Sequence, residues 1–140
     1  MIEGEARRRF CRARVARLAT VAATGQPHLV PVTFACDGET LYSAVDDKPK
    51  SSRRLKRLGN IRANPGVSLL VDHYDEDWAA LWWVRADGRA RVEESGPALE
   101  LAHELLGDKY AQYRLAPPGG PVVVVEVRGW RAWSAGEPGP

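Results

Sequence analysis

The order of predicted elements argues for a mainly β fold, a six- to seven-stranded antiparallel split β-barrel with flanking helices. Three observations carry this reading. Short apolar segments rich in β-branched residues recur along the chain, many of them are joined by short turns, and helical periodicity is confined to three places: the start, after the third strand and before the last. A doubly wound parallel sheet needs helices between most of its strands, which this order does not provide. At 140 residues the chain reads as one domain over residues 1–135, followed by a loose Gly- and Pro-rich tail at 136–140.

Residues 3 to 14 place Ala6, Phe10 and Ala13 on one side, with Arg7, Arg8, Arg12 and Arg14 elsewhere, the period of an amphipathic helix with a wet arginine face. Val15 to Val21 reads as a strand, Ala23-Thr24-Gly25-Gln26 as a turn and His28 to Ala35 as a second strand, together a hairpin. Pro31 lies inside that second strand. Because proline donates nothing to a ladder, the strand either lies at an edge or turns that backbone toward something else, such as a bound ring.

Thr40 to Val45 forms the third strand and leads into Asp46-Asp47-Lys48-Pro49-Lys50-Ser51-Ser52-Arg53-Arg54. The following helix has Ser51 or Ser52 as N-cap and Leu55, Leu58 and Ile61 as its buried side. Lys48, Lys50, Arg53 and Arg54 bring charge to a place where unpaired backbone N–H groups already point outward, so this junction suits a phosphate. Asn64-Pro65-Gly66 stops the helix, and Val67 to Asp72 reads as a short central strand. Trp78 to Glu93 is a long extended stretch in which Asp87-Gly88 marks either a bulge or a tight turn.

Gly96-Pro97 opens a helix with Leu99, Ala102, Leu105 and Leu106 on one face, closed by Gly107. A polar connection leads to Val122 to Val127, a core strand, with Trp130 and Trp133 beyond it.

Lys plus Arg at 20 against Asp plus Glu at 18 leaves a net charge of +2, too balanced for a general nucleic-acid binder. Cys11 and Cys36 are too few for a metal or disulfide framework and read as packing residues in a reducing interior. The N-terminus lacks an apolar h-region, and no apolar run is long enough to span a bilayer, so a soluble, cytoplasmic protein is expected. His73 among Asp72, Asp75, Glu76 and Asp77 does not make a metal site, because ligands crowded into one hairpin tip rarely converge on an ion. His103 is expected to be exposed on its helix, and no Ser-His-Asp order, phosphate loop or Cys-His pair supports a hydrolase or kinase.

Several segments together resemble a known family. They are Arg17-Leu18-Ala19-Thr20-Val21, Gly25 to Val32, Tyr42 to Asp46, Lys48-Pro49-Lys50, Leu55 through Asn64-Pro65, Val71 to Tyr74 and Trp82 to Gly88. The order is similar to that of the pyridoxamine-phosphate-oxidase-like split β-barrel flavoproteins, and within them to the F420 (deazaflavin)-dependent oxidoreductases. The resemblance implies a homodimer with two coenzyme sites along the interface and a small-molecule substrate, without a nucleic-acid or membrane partner.

It also implies that the ring lies against the strand carrying His28, Val30, Pro31, Val32 and Thr33, with Ser43, Ala44 and Val45 as neighbours of the ring or tail. Lys48, Pro49 and Lys50 would meet the phosphate, joined by Arg53 and Arg54. Where flavin-using members often have Arg-Lys, this chain has Lys48-Pro49-Lys50, which leaves open whether the coenzyme is F420 or FMN. Trp78 and Trp83 are candidate pocket walls, and the resemblance implies that Trp130 or Trp133 covers the ring in the partner's site. Trp82 and Trp83 must point to opposite faces of their strand. No side chain is required as an acid or base, so no catalytic residue is assigned. A domain that binds flavin, deazaflavin or haem without turnover belongs to the same fold.

Overall fold

The computed structural model describes residues 1–45 and 52–136, and residues 52–55 by their backbone alone. The elements run α1 (Glu3–Arg12), β1 (Ala16–Val21), β2 (Pro27–Val32), β3 (Ala35–Asp37), β4 (Thr40–Ala44), α2 (Ser52–Ala63), β5 (Gly66–His73), β6 (Trp82–Glu93), α3 (Pro97–Lys109), α4 (Ala111–Leu115) and β7 (Val122–Ser134). Among the described residues seven strands form one antiparallel sheet in the order β2-β1-β5-β6-β7-β4-β3. This is the split-barrel architecture. β5 lies between β1 and β6, in the interior position that its apolar run predicts, and β2 lies at an edge, which accommodates Pro31.

β6 and β7 are long enough to serve both halves of the sheet. The first part of β6 pairs with β5 and with the end of β7, while its last part pairs with the start of β7, which in turn carries β4. The register shifts between Asp87 and Gly88, where Arg128 is the additional residue on β7, so the sequence's alternative of a bulge is the one realised. A Cβ on Gly88 would stand 2.3 Å from the Glu126 carbonyl oxygen and 3.1 Å from Val125 Cγ1. That oxygen belongs to a strand paired on both sides and has nowhere to move. Gly88→Ala is therefore expected to cost about 3 kcal/mol, read as a lowered midpoint in urea with an unchanged m-value.

The expected second strand, His28 to Ala35, is broken in two. β2 ends at Val32, and Ala35 begins β3 at the opposite edge of the sheet, where it pairs with Tyr42. The chain crosses from edge to edge at Thr33-Phe34, and side chains satisfy backbone groups there. Ser43 Oγ donates to the Thr33 carbonyl at 2.7 Å, and the Phe34 N–H donates to the Tyr110 hydroxyl at 3.1 Å. Tyr110 also lies 2.9 Å from the Arg14 carbonyl, and Tyr113 meets Thr33 Oγ1 at 2.8 Å.

Beside this crossing, Lys109 Nζ sits 3.9 Å above the Phe34 ring and donates to the Cys11 carbonyl at 2.9 Å. Burial, with Arg14 nearby, lowers its pKa from 10.5 to about 8. Below about pH 8 both folded and unfolded chains carry this proton. Between about 8 and 10.5 the unfolded chain holds more of it, so stability rises with pH across that window. Tyr42 and Tyr110, both raised by burial, oppose the rise only above their ordinary value of 10.0. Thermal melts from pH 8 to pH 10 are expected to show the increase, and Lys109→Met to remove it.

Cys11 and Cys36 are not separate packing thiols. They form a disulfide with a Cα–Cα distance of 5.8 Å, tying the last turn of α1 to β3. Two cysteines 25 residues apart do not reveal this pairing in sequence, because helix and strand approach only once Phe10 is seated in the barrel. Phe10 is fully buried, 5.1 Å from Phe34 and 5.3 Å from Trp130.

The strand residues facing inward, among them Leu18, Leu41, Leu69, Val84 and Val123, form the main core with Leu58 and Ile61 of α2. α3 lies outside the sheet, with Ala102 and Leu106 packed on Ala35, Tyr42, Ala44, Val122 and Val124. α3 runs past Gly107 to Lys109, and α4 occupies what the sequence suggests is a polar connection. One outer half of the sheet is thus covered by helix. Among the described residues no helix covers the outer side of the other half, which is left bare.

Candidate functional site

The bare half is built from the outward residues of β2, β1, β5, β6 and the end of β7, and the register arranges them in rows. One row runs Leu29, Ala19, Ser68, Asp87 and Gly129, and the next runs Pro31, Arg17, Leu70, Arg85 and Arg131. A third carries Asp72, Trp83 and Trp133. A cavity of about 480 Å³ opens on this face, lined by Arg17, Ala19, Leu29, Ser68, Leu70, Asp72, Trp83 and Arg85. Leu29 is 68 % exposed and Trp133 46 %. Apolar side chains left in water over several adjacent strands mark a surface made to be covered.

The charges on this face are ordered. Arg85 Nε donates to Asp87 Oδ1 at 2.9 Å and its Nη2 to Oδ2 at 3.1 Å, while Ser68 Oγ donates to Oδ1 at 2.7 Å. Burial works to raise the Asp87 pKa, but these hydrogen bonds and the positive charges of Arg85 and Arg131 outweigh it and leave the pKa lowered. Arg17 is exposed at the edge of the cavity and makes no hydrogen bond or ion pair among the described residues. The site therefore offers an apolar wall of Leu29, Leu70 and Trp83 with the Arg17 guanidinium beside it and Arg85 already held by Asp87, a composition suited to a flat apolar group carrying negative charge at its Arg17 end.

The residues expected from the sequence fall into distinct places. Pro31 and Trp83 are on the bare face, and Trp82 turns to the opposite face, where it packs against the core. His28, Val30 and Val32 alternate to the other side of β2, with Val32 in the core. Thr33 and Ser43 meet through the bond at the edge-to-edge crossing. Ser43, Ala44 and Val45 are all buried, and the Val45 N–H donates to the Pro121 carbonyl. Trp130 is 8 % exposed, with its Nε1 donating to Glu39 Oε2 at 3.1 Å, so in a single chain it belongs to the core. Glu39 in turn pairs with Arg7. Trp78 is 68 % exposed on a single 3-10 turn, Trp78–Ala80, where the sequence reads as continuous extended chain.

Lys48, Pro49 and Lys50 lie outside the described residues, as do the side chains of Arg53 and Arg54. His103, expected to be exposed, is half-buried on α3, and its Nε2 is buried without a hydrogen-bond partner. No group of His, Cys, Asp or Glu able to hold a metal ion is found among the described residues.

The sequence alone does not mark Arg17, Leu29, Ser68, Leu70 and Arg85 as lining a site. Their signal is alternation, since each occupies the outward phase of its strand. That phase becomes a site only when the pairing of four strands is known.

Residues 2–134 match the family model described as pyridoxamine 5'-phosphate oxidase. The chain belongs to the pyridoxamine 5'-phosphate oxidase family. Solved structures share the family's fold over nearly the whole chain. A conserved hypothetical protein from Mycobacterium tuberculosis is 24 % identical with a TM-score of 0.77, covering 96 % of this chain and 85 % of that one. A protein of Mesorhizobium loti described as FAD-binding is 22 % identical with a TM-score of 0.71, covering 94 % of each chain. A heme binding protein from Mycobacterium smegmatis is 23 % identical with a TM-score of 0.74, covering 94 % of this chain and 53 % of that one. At such identities the likeness is one of fold. No curated protein matches the sequence. Among the described residues no helix is long and apolar enough to cross a membrane.

Proposed function

We propose that two copies of this chain pack through the bare sheet face and form between them a coenzyme site, making the protein an F420-dependent oxidoreductase. In this reading hydride passes between the deazaflavin coenzyme and a small organic substrate, and FMN is the alternative coenzyme. The observation that carries it is the uncovered half-sheet, whose cavity joins Leu29, Leu70 and Trp83 to Arg17 and Arg85. An aromatic, phosphorylated coenzyme needs both kinds of surface, and a second chain would supply the missing wall.

The protein's part is to bind, orient and exclude water. Leu29, Leu70 and Trp83 exclude water, Arg17 holds negative charge at one end of the cavity, and Arg85 is kept in place by Asp87. The basic segment Lys48-Pro49-Lys50 with Arg53 and Arg54 would hold the phosphorylated arm, and Ser43 and Thr33, bonded to each other, stiffen the strand end from which that segment starts. Pro31 shares a row with Arg17 and brings the strand of His28, Val30, Val32 and Thr33 to the edge of the site. In this reading Trp78, exposed between β5 and β6, contacts the partner chain and Trp133 lines the interface.

Titration with F420 and with FMN, followed by assays of hydride transfer to a panel of quinones and enones, tests this reading. Saturable F420 binding with turnover is expected. FMN binding with turnover would assign the other coenzyme, and binding without turnover would make the protein a carrier. A protein that takes up haem and neither coenzyme would overturn both enzyme readings, an outcome given weight by the fold shared with a heme binding protein.

A further inference from the structure

A second cavity, of about 470 Å³, lies where the end of α1 meets Val71 and Asp72 of β5 and Trp82 of β6. Arg9, Arg12 and Arg14 line it. We propose that this cavity is a binding site for a small multivalent anion carrying phosphate or carboxylate groups, separate from the coenzyme site.

The helix dipole explains part of this charge. Arg9 and Arg12 lie in the last turn of α1, where the helix dipole favours cations. The remainder is unexplained by that effect. The Cys11 carbonyl already accepts from Lys109 Nζ at 2.9 Å, so part of the helix end is neutralised by another cation. Arg14 lies beyond the helix, held by its bond to the Lys109 carbonyl at 2.8 Å and by the Tyr110 ring 5.2 Å away. Arg9 is fixed by Glu5 at 2.8 Å and lies 5.2 Å over the Trp82 ring. Arg12 is exposed and has no hydrogen bond or ion pair among the described residues.

Two guanidinium groups are thus immobilised beside one concave surface and a third, Arg12, joins them; among the described residues Asp72 is the one carboxylate in the lining. Preorganised guanidinium groups recognise phosphate and carboxylate through paired N–H donors and lose little freedom on binding. Asp72 also lines the coenzyme cavity, so the two sites abut at that residue.

Calorimetric titration of the whole protein with inorganic pyrophosphate and with citrate, at constant ionic strength, tests the proposal. Saturable binding of at least one is expected, and the one preferred tells phosphate from carboxylate chemistry. Arg12→Ala removes an exposed side chain without a partner and should weaken binding about tenfold. Asp72→Asn should tighten it, and Arg8→Ala, which lies on α1 outside the cavity, should leave it unchanged. Absence of saturable binding to the wild type, or equal weakening by Arg8→Ala and Arg12→Ala, would overturn the site. Titrating F420 and FMN into Arg12→Ala separates this result from the coenzyme reading, since coenzyme affinity should not change. A parallel loss of both would show one continuous site and also overturn the proposal.

Discussion

With two copies packed as proposed, Leu70→Asp is expected to leave a folded monomer and to abolish coenzyme binding. Leu70 lies in the middle of the bare face, paired with Arg17 on one side and Arg85 on the other. In a single chain the new carboxylate faces water with two guanidinium groups near it, so folding should survive. In the proposed dimer the same carboxylate would be taken out of water, a penalty of several kcal/mol per ion after relaxation. A penalty of about 4 kcal/mol raises the dimer dissociation constant about a thousandfold. Sedimentation velocity reads the change of mass, and circular dichroism verifies that the monomer is folded. The coenzyme titration should then fail, because the proposed site draws half of its wall from each chain. A Leu70→Asp protein that stays dimeric and binds coenzyme normally would show that the copies meet elsewhere.

Breaking the Cys11–Cys36 bridge should have the second large effect. The two cysteines are 25 residues apart in sequence. Closing a loop of that size removes unfolded-state entropy worth about 3 kcal/mol, and for a domain of this size such a loss lowers the melting temperature by about 10 °C. Release of α1 also loosens Phe10, whose contacts with Phe34 and Trp130 close one end of the barrel. Thermal unfolding of wild type with and without a reductant, and of Cys11→Ser and Cys36→Ser, measures the effect. Intact mass under non-reducing conditions should be two hydrogens lighter than after reduction. Equal melting temperatures and equal masses would restore the reading of two free packing thiols.

Much of the architecture is legible in the chain because each local signal agrees with its surroundings. The Val122-to-Val127 run is buried, Leu58 and Ile61 face the core as their helical spacing requires, and Pro31 sits on an edge strand. The failures share one cause. Thr33-Phe34 reads as the middle of a strand because its residue types suit one, yet the chain changes sheet edge there, and bonds from Tyr110, Tyr113 and Ser43 make that possible. β7 reads as ending at Val127 but continues to Ser134, because β6 offers a partner for every remaining residue after the bulge. A ladder is a property of two strands, and one strand's composition says little about how far its partner extends.

Alternating apolar runs, turn residues and helical spacing are local properties, and by themselves they determined a mainly β barrel, its order of elements and the family it resembles. Tertiary structure alone decided which half of the sheet is left without a helix, which outward residues share a row, and that Cys11 meets Cys36. Each of these depends on register between segments far apart in sequence. A shift of one residue in that register exchanges the inner and outer faces of a strand, so Arg17, Leu70 and Arg85 become neighbours only once β1, β5 and β6 have paired.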